Sequence, residues 1–392
     1  MEWPHHSVED EALGDFIPPH CPNTECDFHT ITDKGAFPWS DHGSYIRPSD
    51  EREIPRYRCR HCGRTFSQQT FSCTYWLKRR ELLPRIGAQL VAGSCLRQIG
   101  RTVECAPSTA ERHVGRLGRH AIGLMTKLLV ALREEGGLRG RFCYDHFETF
   151  AIEQLTPLAI GTLVHAGTLL LVSIDGAQHA RGGKKTPRQK QRWAEILRTS
   201  SPPPRGAYTL ATQDMLTRLT AITRGAITLD TDDHKAYAVA LKRCPERGRI
   251  EHRAFRNPTE RERAENPLFA QERDAALWPV DRLHSLWRHS HAHDRRETIA
   301  FARRHNAALE RAFLIAAWRN WIKRRDEQDV HSPTPAEEAG LEKKPWTWKR
   351  LIAQRLFPYR LPIPESWMDI YRRIITWPNV NTWTKHELKY AF

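Results

Sequence analysis

The chain has 392 residues, room for two or three domains and a sizeable core. Its 61 Lys and Arg against 46 Asp and Glu give a formal net charge of +15, which points to a polyanionic partner, nucleic acid first. No apolar run is long enough to span a membrane, the first residues lack a signal-peptide pattern, and nine cysteines, an odd number, suit a reducing compartment, so a cytoplasmic protein is expected.

Residues 15–75 read as a zinc ribbon. Cys21 and Cys26 form a C-x4-C pair, and Cys59 and Cys62 form a C-x2-C pair. Two such pairs supply four thiolates for a tetrahedral zinc, with no position left open for water. Gly63 lets the backbone turn tightly behind the second pair. His29 and His61 are alternative donors for one position.

Residues 76–120 read as a helix-turn-helix. Leu96, Ile99 and Val103 share one face of a short helix, and Glu104 to Pro107 form the turn. Glu104 stands where such turns more often carry Gly. A second helix starts at Pro107 or Ser108, with Ala110, Val114 and Leu117 inside. Ser108, Thr109, Arg112, His113 and Arg116 are then expected to face DNA. Residues 56–120 hold thirteen Lys or Arg against three acids, a density that can neutralise phosphates. A plain helical hairpin with a solvated basic face is the competing reading. A linking helix is expected within 121–140.

Residues 141–325 read as a mixed α/β catalytic domain. Three strands are expected over 142–150, 157–165 and 168–174, the last two joined at Ala166 and Gly167. Residues 180–206 carry eight Lys or Arg against Glu195 and suggest a mobile insertion facing DNA. A helix over 209–224 leads to a strand ending in Asp230, Asp232 and Asp233, and a further helix starts near Lys235. Carboxylates at such a strand end suit a hard cation such as Mg²⁺. Taken alone, Asp232 or Asp233 reads more simply as a helix cap. The first strand carries Asp145, which would lie beside Asp232 on a neighbouring strand. Two carboxylates meeting at a sheet rim can hold two cations for phosphoryl transfer. Glu148 and Asp230 read as solvated surface acids before metal ligands.

This order of parts resembles the DDE/D transposases of bacterial insertion sequences, most of all those of short elements whose transposase opens with a zinc ribbon. The residues that carry the resemblance are Cys59-Arg60-His61-Cys62, Thr231-Asp232 with Tyr237, Val280-Asp281-Arg282 with Arg288, and Arg296 with Phe301. It touches most of residues 20–323, and its specificity lies in the order of short motifs. The resemblance implies an RNase H-like mixed-sheet fold with Asp145 and Asp232 as the first two metal carboxylates. It further implies Mg²⁺ or Mn²⁺ as cofactor, double-stranded DNA (element ends and target) as partner, a homo-oligomer on DNA, and association with the nucleoid.

The third acid departs from the family, whose Glu-Arg is matched here by Asp281-Arg282. Pro279 is expected to begin that helix, which puts Asp281 in a first turn where an acid also complements the helix dipole. Glu297 is the rival, and it reads equally as a capping-box partner of Asp294. Forty-nine positions separate Asp232 from Asp281, so an insertion is expected over 243–278. His289, His291 and His293 read as phosphate-facing or plain polar residues. Residues 304–325 read as an amphipathic helix whose Trp318 and Trp321 pack on the sheet, with base stacking as the alternative. Residues 326–392 read as a linker and tail without a legible role. Two rivals stand beside a transposase: a DNA-binding protein that no longer cuts, and a nuclease of the same fold that does not join strands.

Overall fold

The computed structural model describes residues 16–378 apart from 32–34, 49, 50, 297, 358, 359 and 376. Strands β1 (Trp39–Arg47), β2 (Arg52–Cys59) and β3 (Thr65–Ser67) form an antiparallel sheet in that order. Its core is small and aromatic, built from Phe37, Tyr57, Phe66 and Phe71, with Phe357 from far along the chain packed against it.

Three helices follow: α1 (Leu82–Val91), α2 (Leu96–Thr102) and α3 (Pro107–Glu134). The turn between α2 and α3 is tight. Glu104 adopts a left-handed φ of 56°, the conformation that explains the usual Gly there. Gly100 is needed as well, since a Cβ on it would stand 2.7 Å from the Cys105 carbonyl. The second helix and the expected linking helix are one continuous helix of 28 residues. Leu117, Ala121, Leu124 and Leu128 carry the apolar face through without a break, and no cap or proline interrupts it.

The second sheet contains β4 (Leu138–Phe150), β5 (Pro157–His165), β6 (Leu171–Gln178), β7 (Thr223–Asp232) and β8 (Ile250–Phe255), in the order β6-β5-β4-β7-β8. Neighbours among β4, β5 and β6 are antiparallel, whereas β7 runs parallel to both β4 and β8. The protein is thus mixed α/β with a mixed five-stranded sheet. Between β6 and β7 lie α4 (Pro187–Thr199) and α5 (Ala207–Ala221). The basic segment 180–206, expected as a mobile insertion, therefore holds a helix, and Thr186 and Gln189 close its start in a reciprocal capping box.

Helix α6 (Lys235–Lys242) follows β7, and α7 (Glu260–Glu265) and α8 (Pro267–Ser290) follow β8. Residues 243–278, expected as an insertion, are built into the domain. They supply the edge strand β8, α7 and the first half of α8. Helix α9 (His305–Trp321) is buried along nearly its whole length, on every side, which corrects the amphipathic expectation. It crosses α3 closely: a Cβ on Gly118 would lie 2.5 Å from the Glu310 carbonyl oxygen.

The last described residues form α10 (Pro335–Glu338), α11 (Trp348–Ala353) and α12 (Glu365–Tyr371). They act as a strap. Trp346 stacks on Trp321 at 5.3 Å, Trp348 covers Gly87 of α1, and Trp367 Nε1 donates to the Ile174 carbonyl of β6 at 2.7 Å. Arg355 donates to the Gln68 carbonyl at 2.8 Å, so the same segment also grips the ribbon. Packing is thereby the role of Trp321, and of the described residues of the tail, up to 378.

Candidate metal centres and acidic cleft

The first centre stands at the end of β2. Its backbone is two short loops. In one, the Cys26 amide donates to the Asn23 carbonyl at 3.1 Å; in the other, the Gly63 amide donates to the Cys59 carbonyl at 3.0 Å, with Gly63 at φ +73°. These loops bring the sulfurs of Cys21, Cys26, Cys59 and Cys62 within 4.8 Å of one another. Cys21 and Cys62 are 3.6 Å apart and Cys26 and Cys59 are 3.9 Å apart. Four sulfurs about 2.3 Å from a tetrahedral zinc would be separated by about 3.8 Å, so the donor set fits the ion. The spacing is far too long for disulfides. Burial raises the thiols of Cys21 and Cys26, the latter to about 11.

The histidine alternatives fall away. His29 Nδ1 lies 2.8 Å from the Cys21 carbonyl oxygen, and His61 Nε2 lies 3.3 Å from Asp27. Among the described residues, no other group of three or more His, Cys, Asp or Glu donors is drawn so close.

The second centre is a cleft at the rim of the five-stranded sheet. Tyr144 pairs with Thr231 across β4 and β7, so Asp145 and Asp232 follow side by side, one residue further along each strand. Helix α8 covers this face. The Ala276 carbonyl accepts from Arg141 at 3.1 Å and from the Cys143 thiol at 3.2 Å. Lower on the same helix, Asp281 reaches the cleft, near enough for its charge to act on Asp145.

Pro279 does not begin this helix. Asn266 caps it, Pro267 occupies the first turn, and Pro279 lies inside. Asp281 therefore sits in mid-helix, where complementing the dipole is no explanation for an acid. The capping role also goes elsewhere at Asp232: His234 is the N-cap of α6, and Asp232 Oδ1 accepts its backbone N–H at 3.0 Å.

The electrostatics of the cleft are those of like charges held together. Burial, then Asp232, then Asp281 push the Asp145 carboxyl up to about 7, and burial also raises Asp232. One cation is built in, the Arg273 guanidinium, which pairs with Asp281 and Asp274 and lowers the cost of ionising Asp145 and Asp232. His284, one turn beyond Asp281, stands behind Asp145, with Nδ1 at 3.7 Å from Oδ2 and Nε2 at 2.9 Å from the Thr162 hydroxyl. Thr162 donates its own proton to the Asp145 carbonyl at 3.1 Å. His284 must then donate from Nε2 and turn a bare Nδ1 toward Asp145. Burial keeps this imidazole neutral by pulling it down to about 3. On the other side, the Tyr237 hydroxyl lies 3.5 Å from Asp145 Oδ1 and 2.8 Å from His146 Nδ1.

Several sequence-derived sites are displaced. Asp230 is fully buried and gripped by Arg141 and Arg253, so it is neither solvated nor a ligand. Glu148 is exposed, as expected, and tied to Tyr208 and His179. His291 and His293 are buried, and His291 Nδ1 lies 2.6 Å from Asp294. Asp294 also accepts from Trp287 and Thr149, so it pins the end of α8 and caps no helix. Glu297 lies outside the described residues. Arg273 and His284 were missed. The signal was there, as both fall on one helix face with Asp281, but placing the helix start at Pro279 concealed it.

The helix-turn-helix face is narrower than expected. Ser108 and Arg112 are exposed and Thr109 is partly so. His113 instead is buried, bridging the Thr109 and Arg79 carbonyls at 2.8 and 3.0 Å. Arg116 turns inward as well and donates to the Cys73 carbonyl at 3.3 Å. No helix among the described residues is long and apolar enough to cross a membrane. Compared with known proteins, the chain matches no family model and no curated protein.

Proposed function

We propose that the protein is a DNA transposase that binds the ends of its element and cleaves and joins DNA strands with divalent metal ions. The observation that carries this reading is the convergence of Asp145, Asp232 and Asp281, from two adjacent strands and one helix, on a single rim. The sheet order β6-β5-β4-β7-β8, with the acids on its central pair, is the arrangement an RNase H-like domain requires, and supports that fold.

The three carboxylates do not meet the spacing of a single ion. Asp145, central and flanked by both others, would hold divalent ions together with Asp232 and Asp281. When bound, the ions supply charge stabilisation for in-line displacement at phosphorus. The protein's own residues do the rest. The His146 backbone N–H, which donates to Asp145 Oδ1 at 2.7 Å, and the Tyr237 hydroxyl hold the Asp145 carboxylate, and Arg273 balances charge at Asp281. Ser108, Thr109 and Arg112 at the start of α3 read the element end, and the ribbon is held by Zn²⁺ as a structural part.

One observation favours the rival that no longer cuts: Arg273 already neutralises Asp281. The test is incubation with Mg²⁺ and duplexes carrying the inverted repeats that flank the gene. Strand cleavage and joining are expected. They should be abolished in Asp145→Asn and Asp232→Asn, with end binding retained. Binding without cleavage in the wild type would establish the rival. Cleavage without joining would establish the nuclease.

A further inference from the structure

A cavity of about 180 Å³ lies between α3 and α9, behind the helix-turn-helix. Four arginines line it, Arg112, Arg304, Arg311 and Arg373, against Glu111 and Glu310. Glu310 is already committed, since its carboxylate accepts from Arg119 at 3.0 Å and from Arg373 at 2.7 and 2.9 Å. With Arg304 left out of the count, Arg112 and Arg311 against Glu111 still leave a positive balance of charge for a ligand.

Two independent features point to an anion. Arg311 is only 4% exposed, and its Nε and Nη2 have no hydrogen-bond partner. A buried guanidinium in that state is costly unless a partner arrives. The second feature is the start of α9. Arg304 is its N-cap residue but makes no side-chain cap, and Ala307 of the first turn lines the cavity. An uncapped helix N-terminus presents N–H groups and the positive end of the dipole to whatever occupies the space.

We propose that this cavity binds a phosphate group, held by Arg311 and Arg304 at the N-terminus of α9. Arg112, on the exposed start of α3, lines the same cavity. The phosphate is therefore a backbone phosphate of the DNA that α3 reads, an assignment of source that rests on the proposed function. Engaging it ties the reading helix to α9, which packs beneath the catalytic sheet. DNA binding is thereby coupled to the position of the cleft.

The experiment has two arms on the full-length protein. In the first, inorganic phosphate is titrated at constant ionic strength, with chloride as the balancing anion, while the melting temperature is followed. A saturable rise is expected for wild type and its loss in Arg311→Gln and in Arg304→Gln. Because Arg311 is buried and its replacement could unfold the chain, Arg304→Gln, at a half-buried position, keeps the arm decisive. No saturable rise in wild type, or an equal rise in Arg304→Gln, would overturn the site. In the second arm, the salt dependence of duplex binding is measured. Arg304→Gln should lower the slope of log K against log salt by about one. An unchanged slope with phosphate binding intact would keep the site but overturn DNA as its source, in favour of free phosphate. Failure of wild type to bind any duplex would refute the DNA reading alone, because the first arm reads the site without DNA.

Discussion

The cysteine ribbon and the aspartate cleft are both gatherings of metal donors, and they differ in almost every physical respect. The four cysteines come from two short loops and already stand at tetrahedral spacing. The three aspartates come from elements far apart in the chain, lie at an open rim, and are kept apart, with an arginine among them. A structural site can be preorganised by its own loops because the ion is never released. In the open cleft the carboxylates repel one another and one of them holds a proton near neutrality, which under the proposed function is the condition of a site that admits substrate oxygens. Under the proposed function, the difference between the two sites is the difference between folding and chemistry.

The sharpest break of this comparison is removal of the ribbon's ligands. Structural zinc contributes roughly 10–16 kcal/mol in small modules. Cys59→Ser with Cys62→Ser should release one zinc per chain and unfold the ribbon, leaving the five-stranded sheet intact. Metal analysis and hydrogen exchange read both. A ribbon that stays protected without zinc would make the cysteines ordinary core residues.

Two acids thirteen positions apart separate structure from chemistry on and just beyond a single helix. Asp294 is buried and paired with His291, and these partners hold it below the usual carboxylate range even though burial opposes them. Asp294→Asn should cost about 3–5 kcal/mol in chemical denaturation, as expected when one partner of a buried pair is lost. Asp281→Asn should cost little stability and should abolish cleavage. Equal destabilisation by the two would remove Asp281 from the cleft's chemistry.

Without divalent ions, Asp145 carries its own stability signature. Its carboxyl is protonated in the folded chain up to about pH 7, but in the unfolded chain only up to its ordinary value near 4. The folded state binds more protons across that interval, so stability falls as pH rises through it. Asp145→Asn should therefore be more stable than wild type at pH 8 in EDTA, by on the order of 1–3 kcal/mol, and no more stable at pH 4. Denaturation at the two pH values checks this.

The smallest effects lie on α3. Arg112→Ala should weaken end binding by about 1–3 kcal/mol and relax specificity if it meets a base edge. Arg116→Ala should leave the salt dependence of binding unchanged and cost about 1 kcal/mol of stability through its lost bond to Cys73. A steeper loss of DNA binding at Arg116 than at Arg112 would reverse the assignment of faces.

Local chemistry was legible in the sequence. Paired cysteines, the apolar period of α2 and α3, and the strand that ends at Asp232 could all be read because each is set by neighbours within a few residues. What depends on distant partners was not. His113 and Arg116 looked outward on the helical wheel, but the segment before α1 folds back to accept their hydrogen bonds. Asp230 looked like a surface acid until β8 brought Arg253 to it. Pro279 looked like a helix start, though a proline inside a helix is tolerated where packing holds the turns on both sides, and here it is buried. The strap formed by the tail carries no local signal beyond its tryptophans, since the surfaces it covers are assembled from the whole chain.

The measurement that tests the contrast most directly is Mn²⁺ binding, followed by electron paramagnetic resonance at pH 8 on zinc-replete protein with bound duplex. The account predicts that wild type takes up Mn²⁺. It also predicts that Asp145→Asn and Asp232→Asn lose that uptake while each retains its zinc. Wild-type Mn²⁺ uptake in both variants, or none in any of the three proteins, would contradict the assignment of the cleft as a metal centre.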